Sequence, residues 1–204
     1  MVFRIVRTGE VVVTLVLAAL VLVGELVVLQ GQRDESRRVD ALVVLCAGVN
    51  DGDDGDDGDD DITVCVNHAL DRYRQGLASH LVLLEAAEGA AAQHLREALA
   101  THHLPAEALL TVGRSGHDQA DMQHIAALLY QHGMNRVLLV DTPDALLRHL
   151  KMARDLGLVA YGAPLPNSRS PELRAVLRAS LDYWSYVLFN HREDLENEAG
   201  DHRP

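Results

Sequence analysis

Cationic charge is scarce in this chain. Of 204 residues, 18 are Lys or Arg against 30 Asp or Glu, and the formal net charge is −12. Gripping a phosphate backbone draws on a basic surface, so this balance excludes a general nucleic-acid binder. Lysine is nearly absent: Lys151 is the only one. That bias fits GC-rich codon usage better than a functional demand. Aromatic residues make up 4%, so the core must be built from Leu, Val and Ala. Two cysteines, Cys46 and Cys65, are too few for a disulfide framework or, alone, a zinc site. Gly-x-Gly-x-x-Gly, Walker, His-Glu-x-x-His and Gly-x-Ser-x-Gly sequences are missing, and Ser, His and Asp recur at no triad-like spacing. What the chain does have is 48% hydrophobic residues, which excludes disorder as the overall class.

The longest apolar run is residues 11–29, VVVTLVLAALVLVGELVVL, broken only by Glu25. A hydrocarbon layer of about 30 Å takes about 20 apolar residues at 1.5 Å rise. The run therefore predicts a single membrane span after a short flank, 1–10. A cleaved signal peptide is the rival, but its apolar region is shorter and VVLQGQRDE offers no small-x-small site. Arg4 and Arg7 precede the run and Arg33, Arg37 and Arg38 follow it, so counting cations leaves orientation open. The expected arrangement is a single-pass membrane protein with its soluble domain outside the cytoplasm.

Behind a polar linker, 30–38, VDALVVLC (39–46) is a continuous β-branched run, as in a strand buried on both faces. Four more runs follow at 80–84, 108–112, 136–140 and 158–162. Helical periodicity separates them at 64–75, 89–102, 116–132 and 143–156, and a last helix is expected at 171–189, with Pro171 in its first turn. The alternation predicts an α/β domain over 39–190: a Rossmann-like, mostly parallel sheet of about five strands with helices on both faces. Residues 191–204 form a polar tail. Sheets of this kind bind ligands beyond the carboxyl ends of their strands, so the residues after each run are the ones to read for chemistry.

The order of these features resembles the SanA/YdcF/ElyC-like family of bacterial envelope proteins. VDALVVLCAG is similar to the family's opening strand, NHALDRYRQGLASHLVLL to its first helix and second strand, and HLPAEALLTV to its entry into strand three. NRVLLVDTPDALLRHLKMARDLGL and ELRAVLRASLDYWSYVL resemble the fourth strand with its helix and the closing helix. The resemblance covers about 39–190 and implies a membrane-anchored Rossmann-like domain in cell-envelope or cell-wall upkeep. The polar signature departs from the family's. Glu85-Ala86-Ala87 replaces Ser-Gly-Gly; the stretch Ser115 to Asp121 keeps only the serine of a Ser-x-Asn-Thr-x-Glu-Asn box. Asp141 and Ala145 stand in place of Thr and His, Cys65 in place of an Arg, and Arg148 is kept. These exchanges imply a degraded ligand site and argue against efficient hydrolytic or transfer catalysis. The other reading is a non-catalytic interaction or cation-responsive module on the same scaffold.

The candidate ligand residues are accordingly Glu85, Ser115, Asp118, Asp141 and Arg148, for a nucleotide-like ligand if one is kept. Glu88 and Asp144 also follow strands, and Arg114 and Arg148 are the cations nearby. Ser115 and Asp118 have capping-box spacing, with an anion cradle as the other reading. His117, Asp121 and His124 lie at i, i+4 and i+7, a stripe that could ligate a transition metal or equally face solvent. The segment 50–61 holds eight aspartates; its three-residue repeat cannot keep an EF-hand register, so it reads as a solvated loop with at most unselective binding of a divalent cation. Cys46 and Cys65 flank that segment, either as a disulfide or as two buried thiols.

Overall fold

The computed structural model describes residues 2–31, 33–45, 58–85, 104–166 and 176–188; side chains at 2–10, 12–13, 16–17, 31, 58–63, 85 and 106 are not described. The helix expected at 89–102, the aspartates up to Asp57, Cys46, Glu88 and the tail 191–204 lie outside those residues.

Five strands form one sheet: β1 (Ala41–Val44), β2 (His80–Glu85), β3 (Leu109–Gly113), β4 (Arg136–Asp141) and β5 (Val159–Pro164). Their order is β3-β2-β1-β4-β5, and all four pairings are parallel. The α/β Rossmann-like expectation is met here, with each strand within a residue or two of its apolar run. The reason is the period-two alternation of strand side chains. Ala41, Val43 and Leu45 enter one core and Leu42 and Val44 the other. A strand buried on both faces has no polar positions, which is why β1 reads as an unbroken apolar run.

On one face lie α3 (Asp118–Gln131) and α4 (Leu146–Asp155), contributing Met122, Ile125, Ala126 and Leu129 from the first and Leu146, Leu150 and Ala153 from the second. On the other lies α2 (Gly58–Arg74), with Cys65, Val66, Ala69 and Leu70. The helix α2 begins six residues earlier than its periodicity indicates. The sequence thereby places Asp59, Asp60 and Asp61 in its first turn, where the helix dipole favours negative charge. Part of the expected aspartate loop is therefore helix.

Two local devices fix the register. Asp40 accepts the backbone N–H groups of Asn135 and Arg136 at 3.1 and 2.9 Å, binding the starts of β1 and β4 together. Beyond α4 the chain turns at Gly157, φ +84°, where a Cβ would lie 2.9 Å from the Tyr130 hydroxyl. That hydroxyl donates to the Leu156 carbonyl at 2.9 Å, so both backbone conformation and space select glycine there.

The amino-terminal helix α1 (Val2–Gly31) is thirty residues long and contains the whole 11–29 run. Among the described residues, no helix is long and apolar enough to cross a membrane. The last turns of α1 pack on the domain. Val23 and Val27 are 3% and 1% exposed, and α1 lies against α4. A Cβ at Gly24 would sit 3.3 Å from Val176 and 3.7 Å from Ser180, on the helix α5 formed by residues 176–188. The linker is tied as well: Glu35 N–H donates to the Gly162 carbonyl at 2.8 Å, and Arg72 pairs with Asp34 at 2.6 Å.

Candidate functional site

The strand order creates the site. From β1 the chain moves outward to β2 and β3, then crosses back to place β4 on the other side of β1. Connections leaving in opposite directions open a crevice at the carboxyl ends of β1 and β4. A pocket of about 210 Å³ occupies it, floored by Leu45, Leu84 and Met122. Its polar lining comes from Arg114 after β3, Asp118 and Asp121 on the first turns of α3, Asp141 at the end of β4, and Arg148 and His149 on α4.

His149 is the centre of the charge network. Its Nδ1–H donates to Asp141 Oδ2 at 2.5 Å, and its Nε2 lies 3.5 Å from Asp118 Oδ2. Asp141 is 2% exposed and is held in turn by the Thr142 N–H, 2.8 Å from Oδ1. Burial opposes the charge on His149. The adjacent Asp141 carboxylate, with the hydrogen bonds to Asp118 and Asp141, outweighs burial and raises its pKa to about 9. The imidazole is therefore an imidazolium at neutral pH. Asp118 is held well below the usual carboxylate range, first by His149 and then by Arg148, whose Nη2 is 2.5 Å from Asp118 Oδ2.

The carboxylate of Asp121 is arranged differently. Its Oδ1 accepts the Ser115 N–H at 2.6 Å, while Oδ2 is buried without a partner among the described residues. Arg114 lines the same pocket, and no ion pair to it is seen among the described residues.

Several expectations change here. Ser115 and Asp118 do not form a capping box. His117 is the N-cap of α3 and makes no side-chain cap, while the Ser115 hydroxyl accepts the His117 N–H at 3.2 Å. Asp118 turns instead to Arg148 and His149, because two cations across the crevice compete successfully with one backbone N–H. It is Asp121, three residues further on, that reaches back toward Ser115. The His117–Asp121–His124 stripe is split: Asp121 is buried, whereas His117 and His124 are exposed. No group of three His, Cys, Asp or Glu that could hold a metal occurs among the described residues. Of the two cations expected nearby, Arg148 is paired with Asp118.

Of the other strand-end acids, Asp144 is half-buried and does not line the pocket. Glu85 ends β2 beside Gly113, and its side chain is not described. Cys65 is fully buried and disulfide-bonded. His149 escaped the sequence reading altogether. The signal was present, for it lies three residues after Leu146 on the stripe that α4 buries, next to an arginine.

The chain matches no family model, no curated protein and no solved structure. The case for function therefore rests on the pocket and the helices around it.

Proposed function

We propose that this protein is a membrane-anchored, extracytoplasmic α/β domain of SanA/YdcF-like type in cell-envelope upkeep, and that its pocket binds a small phosphate-bearing ligand without turning it over. The observation that carries the ligand reading is a pair of groups in one pocket: the Arg114 guanidinium, without an ion pair among the described residues, and the buried Asp121 Oδ2, without a partner among them. A buried carboxylate oxygen without a partner is costly, and a ligand hydroxyl would satisfy it. A phosphate would take Arg114. A sugar phosphate, alone or as part of a nucleotide, presents both groups. The volume of about 210 Å³ suits the sugar-phosphate portion. The buried disulfide at Cys65 supports an oxidising compartment outside the cytoplasm. Binding without turnover follows from His149. A group protonated up to about pH 9, with both ring nitrogens facing carboxylates, is poorly placed to remove a proton at neutral pH.

One observation favours the interaction-module reading. Arg148 and His149 are already matched by Asp118 and Asp141, so most of the pocket's charge is internally satisfied. Thermal melting of the full chain in mild detergent separates the two. Ribose 5-phosphate or ADP at a hundredfold excess over Kd is expected to stabilise by about 2.7 kcal/mol, and Arg114→Ala should remove the effect. No shift with either compound, together with a shift on adding Ca²⁺, would replace the ligand reading by the module.

A further inference from the structure

The two helices outside the sheet expose a large apolar surface. On α1, Val11, Leu15, Val21, Leu22, Leu26 and Leu29 are exposed, Leu22 by 60%, and so is Glu25. At 100° per residue the six aliphatic side chains fall within about 140° of arc, a broad face roughly 27 Å long that also holds Glu25. On α5, Leu177, Leu181 and Leu188 are exposed and repeat at i, i+4 and i+11, again one stripe. The helices meet at Gly24, so the stripes belong to adjoining elements.

The same helix is committed elsewhere. Val23 and Val27 are buried on the domain, and α5 carries Arg178 and Asp182. A span needs lipid on every side of about 20 residues. Between Val11 and Leu22 only about 17 Å of apolar helix precedes the domain contact, and Arg4, Arg7 and Glu10 lie before it. Exposed Arg33, Arg37, Arg38 and Arg178 follow or border the stripes, and outnumber exposed Glu25 and Asp34 there. Anionic headgroups complement that set. A second copy docked about a two-fold axis would bring the same cations toward themselves.

We infer that the protein is monotopic: α1 and α5 lie together in one leaflet of an anionic bilayer, with the sheet domain pressed against the headgroups. The inference rests on the proposed membrane attachment and specifies its geometry. A helix with one side packed on protein and a mostly apolar side toward acyl chains fits such a seat. The domain then has a fixed orientation to the membrane, since the last turns of α1 pack on it.

The test uses the full chain with one epitope before Met1 and another after Pro204, in spheroplasts and in inverted vesicles treated with protease. Both epitopes are expected to be cut in the same preparation and protected in the other. One cut while the other is protected would establish a bitopic anchor and overturn the monotopic geometry alone. Recovery in the soluble fraction without membranes would overturn the attachment itself. Leu177→Asp with Leu181→Asp, on vesicles of phosphatidylethanolamine and phosphatidylglycerol, is expected to lower partitioning by about tenfold or more with an unchanged melting temperature. Unchanged partitioning would remove α5 from the membrane face. A stable dimer that loses vesicle binding would put a second copy on the surface in place of lipid.

Discussion

The carboxyl edge of the sheet and the α1–α5 pair break the usual partition of residues in opposite ways. At the sheet edge, Asp121, Asp141 and His149 are buried. On the helix pair, large aliphatic side chains face outward. Each departure is informative because ordinary folding removes it. The buried charges persist where opposite charges and hydrogen bonds converge from three different elements. The exposed leucines persist where the two helices adjoin and arginines follow or border them. Stability should therefore be sensitive to single substitutions at the first region and nearly indifferent at the second.

The sharpest break is Asp141→Ala. It leaves a buried imidazole without its carboxylate, and losing one partner of a buried pair costs about 3–5 kcal/mol. Urea unfolding of the full chain in mild detergent would read this directly; a loss below about 1 kcal/mol would mean that the pair is better solvated than its burial indicates. Next comes pH. The folded pKa of His149 is raised from 6.5 to about 9, so its contribution is complete below pH 6.5 and disappears as pH rises through 9. The loss should be about 3 kcal/mol and absent in His149→Gln. The depressed pKa of Asp118 has the opposite sense. Its contribution is present above its ordinary value of 3.8 and is lost as pH falls. A plateau between the two limbs is the expected stability profile.

Substitution at the junction of the two regions should act at intermediate size. A Cβ at Gly162 would lie 3.0 Å from Leu146 and 3.3 Å from Gln30, between the site helix and α1. Gly162→Val should cost about 1–3 kcal/mol by overpacking, and should make the α1–domain linker more susceptible to limited proteolysis. Smallest of all, Leu22→Gln and Leu181→Gln should change stability by no more than about 0.5 kcal/mol in the same assay. A larger loss at either would show that the exposed stripe is packed in the folded chain.

The central strands were legible because both of their faces are buried: β1 is wholly aliphatic, and β4 is aliphatic between Arg136 and Asp141. The site was legible only in part. Asp118, Asp141 and Arg148 fall after strands or at the start of helices, where the fold class directs attention. Their partners are another matter. Asp118 and Ser115 have local capping geometry available, and only the approach of α4 decides that Asp118 turns away. His149 hides within an apolar stripe, since its pairing depends on a carboxylate on the neighbouring strand. The run at 11–29 identified a long apolar helix correctly as an element. Its division into a domain-packed side and an exposed side depends on where α4 and α5 lie, which no local periodicity encodes.

The tie between Asp40 and Arg136 joins positions 96 residues apart, at the middle of the sheet. A chain made from its amino end completes β1 and β2 long before β4 exists. During that interval one edge of β1 has no neighbour, and an open aliphatic strand edge is a template for pairing with other chains. Closing so long a loop is slow, and parallel pairing gives no reward until the crossover is complete. The vulnerable property of this fold is therefore the yield of folding rather than the strength of the finished sheet. Asp40→Ala should expose that weakness: refolding slows, and aggregates form in proportion to protein concentration while β1 waits for its central partner.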